Sequence, residues 1–456
     1  MTIILATKTL LATLLLFSIH TRYVSAQGTT IRAPTPSSSP SPSRGLHSLF
    51  VAAGKHHFGN TMDVNVFDDA AYQAIASNKN EFGMVVPENS QKWGPIQPTE
   101  GDFEFGNTDS VADRVDANGQ MFRCHALTWH SQLPTFVQNG TWTRETLTAA
   151  IENHIQTVVS HYKGQCYSWD VVNEALNENG TFRDSVFLRV LGTDYLPISF
   201  LAAAKADPTA KLYYNDFNLE TSQRKADGAA RIVQIIRDGG ARIDGLGFQA
   251  HLRVGITPSQ ANLTATLKRF TDLDLEVTLS ELDIAHTKLP ASEDDLAQQA
   301  TDYVSAVGAC LAVPKCVGIT VWQFTDKYSW IPSTFPGLGD ACLFTANFTK
   351  KPAYFAVENL LLAVAESVRA VVSGEAAGAI NGTLAGGGNR NGSSLIANMT
   401  AAGRAGGGEY RGVPSSAAAD MTQRGVVIYR AVKRLVLRGM WSRTLSPSQQ
   451  PADRLF

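Results

Sequence analysis

Residues 168–176 read SWDVVNEAL, a strand-forming run that passes straight into an amide and a carboxylate, Asn173 and Glu174. Burying an unpaired carboxylate is costly, so the group is either paired or chemically employed. A second run of this kind, VTLSE, ends at Glu281. Eight short apolar, β-rich runs occur between residues 46 and 367, at 48–53, 82–86, 121–127, 167–172, 211–214, 246–250, 275–280 and 317–322. Helical patterns separate most of them. In 143–162, Thr143 is placed to cap, while Leu147, Ile151, Ile155, Val158, Val159 and Tyr162 share one face. Strands and helices alternating in this number predict an α/β fold: a closed parallel (β/α)8 TIM barrel over 46–367 with an outer ring of helices.

In such a barrel the C-terminal strand ends converge on one face, which carries the site. The second run is followed by Glu88, Asn89, Lys92 and Trp93, the third by His125, Trp129 and His130, and the fourth by Asn173 and Glu174. Asn215 and Asp216 follow the fifth, Gln249 and His251 the sixth, Glu281 and Asp283 the seventh, and Trp322, Asp326 and Trp330 the eighth. Glu174 and Glu281 are read as terminating strands that face each other across the barrel. Two convergent carboxylates are what glycosidic cleavage needs, one to protonate the leaving oxygen and one to meet the developing oxocarbenium carbon. Four of the seven tryptophans fall on this rim, which favours a carbohydrate over a small acidic metabolite. His154 and His161 lie in the 143–162 helix and need no function. His56, His57 and His286 lie near strand ends and are not counted in the site.

A formal charge of −2 gives no overall attraction to nucleic acid or to anionic membranes and is a poor guide to the partner. No nucleic-acid or membrane partner is expected, and the chain is expected to be a monomer. The first 26 residues have the pattern of a secretory signal: Lys8, an apolar stretch over 10–17, and VSA at 24–26. Residues 27–45 form a Pro/Ser-rich linker containing PTPSSSPSPSRG, with nothing foldable before it. From 368 to 456 the chain is expected to be disordered. Residues 374–408 hold eleven of the 37 glycines, and 421–456 carry seven Lys and Arg against one Asp. Sequons stand at Asn139, Asn179, Asn262 and Asn347, and again at Asn381, Asn391 and Asn398 in the tail.

Export permits disulfides, and five cysteines leave at least one thiol unpaired within the chain. Cys310 and Cys316, six apart around a Pro-containing bend, are the expected bridge. Cys124 and Cys166 stand near the starts of adjacent candidate strands, where they either pair or remain two buried thiols; the sequence leaves both open. There is no CxxC pair and no HExxH, so no metal and no cofactor are expected.

WDVVNEAL and LSELDI, with ENSQKW, HALTWHSQLP, NDFN, GFQAHL and VWQFTDKYSW in that order, resemble glycoside hydrolase family 10, the secreted endo-β-1,4-xylanases. The resemblance covers about 46–367 and implies a (β/α)8 barrel cleaving internal bonds of xylan with retention. It implies Glu174 as general acid/base and Glu281 as nucleophile, with Asn173 holding the sugar 2-hydroxyl and His251 and Asp283 orienting Glu281. His125, Trp129, Gln249, Trp322 and Trp330 would shape the sugar sites nearest cleavage, and Glu88, Asn89 and Lys92 the next glycone site. Five positions depart from the family pattern: Phe217 stands for a usual Tyr, Gly94 for Asp, Cys124 for Gly, and Gln323 with Phe324 for a smaller pair. Two other readings remain open on the same barrel, a β-1,4-glucanase or mixed enzyme, and a catalytically inactive xylan-binding protein.

Overall fold

The computed structural model describes residues 45–372. The expected leader over 1–26 and the linker up to residue 44 lie outside these residues, as does the tail beyond 372, its three sequons included. The helix Pro352–Val372 ends the described part, and the expected domain boundary at 367 falls in its last turns.

Nine strands are present among the described residues: β1 (His57–Met62), β2 (Met84–Pro87), β3 (Met121–Trp129), β4 (Cys166–Asn173), β5 (Lys211–Asp216), β6 (Gly245–Phe248), β7 (His251–Arg253), β8 (Glu276–Ala285) and β9 (Cys316–Val321). All neighbours run parallel. β6 pairs directly with β8, and β9 pairs back onto β1, so eight strands close a ring. β7 is a three-residue extension carried on the outer half of β8. Strands such as β2 and β9 are buried along their whole length, as the double cover of a parallel sheet requires.

Seven of the eight expected runs fall on barrel strands, and the first does not. Residues 48–53 belong to the helix Leu46–Ala52, whose Leu46, Leu49 and Phe50 are buried at helical spacing. The true β1, HFGNTM, carries the polar His57, Asn60 and Thr61 and so lacks an apolar run, although every residue in it is buried. The helix Arg144–His161 forms where expected. Thr143 caps it through Thr146, and Leu147, Ile151, Ile155, Val158 and Val159 are buried.

Cys310 is bridged to Cys316, tying the end of the helix Glu293–Ala312 to the start of β9. Cys124 is bridged to Cys166, joining β3 to β4, which resolves the alternative the sequence left open. Cys342 is a buried free thiol. The sequon residues Asn139, Asn179, Asn262 and Asn347 are exposed.

The two bridges span 42 and 6 residues. Loop-closure entropy then makes the first worth about 4 kcal/mol and the second about 2 kcal/mol. Chemical denaturation of the paired Cys→Ala variants should show the larger loss for Cys124/Cys166; equal losses or the reverse order would remove the entropic explanation.

Candidate active site

An open cleft of about 1110 Å³ crosses the C-terminal mouth of the barrel, and both Glu174 and Glu281 line it. Successive side chains of a strand normally point to opposite faces, yet Asn173 and Glu174 both face this cleft. The chain turns at Glu174, which adopts φ 54°, a left-handed conformation uncommon outside glycine. Its N–H is held there by the carbonyl of Asn215 at 2.9 Å. That turn answers why an amide and a carboxylate stand side by side.

Glu281 is presented differently. It lies within β8 rather than at its end, because β8 continues four residues beyond it to Ala285, along β7. Ser280 and Glu281 occupy an irregularity where two residues of β8 oppose one of β9, between the pairs Leu279–Ile319 and Leu282–Val321. Such a bulge re-aims a side chain. Similar shifts interrupt the β3–β4 and β4–β5 ladders beside His125 and Val172.

A chain of amides joins the two carboxylates. Gln249 Nε2 donates to Glu174 Oε1 at 3.0 Å and reaches Asn173 Oδ1 at 3.4 Å. Asn215 Nδ2 donates to that same Asn173 Oδ1 at 2.9 Å and to Glu281 Oε1 at 2.7 Å. Asn215 is itself oriented by Ser280 Oγ, which donates to its Oδ1 at 2.6 Å. A Cβ on Gly247 would lie 2.1 Å from that Oδ1, so only glycine leaves room for it. The second oxygen of Glu281 accepts from His251 Nε2 at 3.2 Å, while His251 Nδ1 donates to Asp283 Oδ2 at 2.9 Å. Trp330 Nε1 also donates to Asp283 Oδ2, at 2.9 Å.

Burial would lower the pKa of His251, but the charges of Asp283 and Glu281 and their hydrogen bonds outweigh it and hold the imidazolium up to about 10. Burial likewise pushes Glu281 up, and the hydrogen bonds from His251 and Asn215 with the positive charge of His251 bring it below the usual carboxylate range. Glu281 is therefore held as an anion more readily than an ordinary carboxyl group.

The sequence profile described as Glycosyl hydrolase family 10 matches residues 45–360. The chain belongs to that family. Among its relatives, endo-1,4-β-xylanase 5 of Pyricularia oryzae is 60% identical over 328 residues, covering 72% of this chain and 81% of that one. Endo-1,4-β-xylanase 1 of Humicola insolens is 53% identical over 317 residues, covering 69% and 74%. An endo-1,4-β-xylanase structure from Penicillium canescens superposes with a TM-score of 0.68 at 39% identity, over 70% of this chain and 97% of that one. A Bispora xylanase of the same family, with xylobiose bound, gives 0.67 at 39%, over 69% and 99%.

Glu88, Asn89, Lys92, His125, Trp129, Gln249, Trp322 and Trp330 all line the cleft with the residues above. Lys92 Nζ donates to Asn89 Oδ1 at 2.9 Å and stands 4.9 Å from the Trp129 ring centre. His125 Nδ1 contacts Asp170 Oδ2 at 2.9 Å, and Arg123 pairs with the other oxygen of Asp170. Arg123 and Asp170 escaped the sequence reading as site residues, whereas Asn215 was placed on the rim without a role. Their signal was a charged residue at an inward position of a strand otherwise bound for the core.

Other rim residues turn away. Trp93 is 3% exposed and stacks on His154 at 4.0 Å, inside the protein wall rather than in the cleft. Asp326 pairs with Lys351 and accepts from the N–H of Cys342. Asp216 is buried against Lys225 at 3.0 Å. His130 borders a small cavity behind Glu174. His57 starts β1 and so sits at the opposite mouth. Gln323 is fully buried and is no part of the cleft wall; its amide donates to Glu88 Oε2 at 2.9 Å and accepts from Tyr72 Oη at 3.0 Å. The Gly94 departure has a steric cause: a Cβ there would lie 2.6 Å from the carbonyl oxygen of Gln132. Phe217 lines the cleft with Lys225 Nζ 3.2 Å from its ring centre.

The raised pKa of His251 makes a stability prediction. A group titrating near 10 when folded and near 6.5 when unfolded stabilises fully below 6.5 and loses that contribution as pH rises through 10. In His251→Asn the thermal midpoint should fall less between pH 6.5 and 10 than in the wild-type chain. Parallel pH profiles would show that the imidazolium contributes nothing.

Proposed function

We propose that this chain is an endo-acting glycoside hydrolase that cleaves internal β-1,4-xylosidic bonds of xylan by a retaining double displacement. Glu174 serves as general acid/base and Glu281 as nucleophile. The observation that carries this reading is the hydrogen-bonded amide chain from Glu174 through Gln249, Asn173 and Asn215 to Glu281, which sets both carboxylates on one cleft. The family and the relatives named xylanases support the substrate class. The two disulfides support an exported protein, and the exposed sequon residues are open to glycosylation.

In the first step Glu281 attacks the anomeric carbon while Glu174 protonates the departing glycosidic oxygen; the C–O bond to the leaving sugar breaks as the glycosyl ester forms. Asn173, fixed by Asn215 and Gln249, is placed to hold the 2-hydroxyl of the sugar under attack, where a hydrogen bond strengthens as charge develops. His251 and Asp283 keep Glu281 ionised and oriented. In the second step Glu174 takes a proton from water, which attacks the ester and releases a product with its original anomeric configuration. Glu88, Asn89 and Lys92, following β2, bind the glycone side. Burial raises the Glu88 carboxyl and lowers the Lys92 ammonium, so desolvation makes both sensitive to hydrogen bonding from sugar hydroxyls. Trp129, Trp322, Trp330 and His125 supply apolar faces and donors around them. The protein acts on the polysaccharide as a monomer, without a nucleic-acid or membrane partner.

Glu281→Ala should lower kcat on xylan by more than about 10⁴-fold while still binding xylo-oligosaccharide. Proton NMR of the wild-type reaction should show the β-anomer of the new reducing end first. A nearly active Glu281→Ala variant, or initial release of the α-anomer, would overturn the mechanism. Faster hydrolysis of carboxymethylcellulose than of xylan would move the substrate assignment to the glucanase reading.

A further inference from the structure

The far half of the cleft has one charge left over. Glu178 is paired with Lys225 Nζ at 3.0 Å and accepts from Asn218 Nδ2 at 3.0 Å. Arg183 is spent on the backbone, donating from Nε to the Glu174 carbonyl at 3.2 Å and from Nη2 to that of Leu176 at 3.0 Å. Arg253 is different. It lines the cleft and is exposed, and among the described residues its guanidinium has no carboxylate within ion-pair distance. Its backbone carbonyl accepts from the N–H of Ile256 at 3.3 Å and from Thr257 Oγ1 at 3.0 Å.

Those two bonds fold residues 253–257 into a tight loop. Gly255, at φ 81°, donates its N–H to Asp302 Oδ2 at 2.7 Å, anchoring the loop to the helix Glu293–Ala312. The loop tip carries Ile256, 73% exposed and facing the same cleft. Arg253 ends β7, which continues the β6 side of the ring, and β6 lies four positions round from β2. The loop is thus on the opposite side of the cleft from the glycone anchors Glu88, Asn89 and Lys92. A neutral xylose backbone needs no cation there. A guanidinium beside an exposed aliphatic side chain matches a sugar bearing a carboxylate, because the fork binds carboxylate in two parallel hydrogen bonds while the apolar group covers a C–H face.

We propose that the 253–257 loop is a subsite for uronic acid branches on the xylan chain on the leaving-group side of cleavage, with Arg253 pairing the carboxylate and Ile256 packing against the branch sugar. This deepens the xylan-hydrolase reading and rests on it. Arg253 is a specificity residue and takes no part in bond cleavage.

The test compares wild type, Arg253→Ala and Arg253→Lys on linear xylohexaose, on glucuronoxylan, and on the same glucuronoxylan with its carboxyls reduced to alcohols. Arg253→Ala should lower kcat/KM on glucuronoxylan about tenfold, the loss of one charge-assisted bidentate pair. It should stay within about twofold of wild type on xylohexaose and on the carboxyl-reduced polymer, with Arg253→Lys retaining part of the preference. An equal fall on all three substrates, or no fall on glucuronoxylan, would overturn the proposal. A wild-type chain inactive on xylohexaose would instead overturn the hydrolase reading beneath it.

Discussion

The site depends on one carboxamide. Asn215 Nδ2 is shared between Asn173 Oδ1 and Glu281 Oε1, so the residue that would hold the substrate hydroxyl and the carboxylate that would attack it have a common reference point. The amide adds no charge, and it can therefore fix Glu281 without neutralising it. The charge is supplied from the other side by His251, held protonated between Glu281 and Asp283. One oxygen of Glu281 thus meets a neutral donor and the other a cation, which explains an anion maintained in a buried setting.

The barrel makes this convergence available. Glu174 and Glu281 are more than one hundred residues apart and three positions apart round the ring, with β5 and β6 between them. Asn215 comes from β5, and Gln249 follows β6, so the intervening strands supply the connecting amides. Local departures from regular strand geometry do the aiming: the left-handed turn at Glu174 and the bulge at Ser280 and Glu281. Each costs stability on its own, and each is compensated by hydrogen bonds or pairing on both sides.

Much of this was legible in the chain. The strand ends at Asn173, Gln249 and Trp322 were visible because parallel barrel strands are covered on both faces and read as apolar runs that stop at polar residues. β1 was not, since His57, Asn60 and Thr61 interrupt its apolar pattern, while the neighbouring helix Leu46–Ala52 supplied the apolar run instead. Arg123 and Asp170 were missed for the same reason: they form a buried ion pair under His125, and linear order does not reveal which inward positions meet. Trp93 looked like a rim aromatic because it follows Lys92, yet the short helix Trp93–Ile96 rotates it onto His154. The Cys124–Cys166 pairing was undecidable before the register of β3 against β4 was known.

The central claim is that Glu281 is the group that bonds to the sugar. Incubation with a 2-deoxy-2-fluoro-xylobioside carrying a good leaving group, followed by proteolysis and mass spectrometry, reads that bond directly. The account predicts one fluoroxylobiosyl ester per chain, located on Glu281 and lost on slow turnover. A label on another residue, or complete turnover with no label at any time, would contradict it.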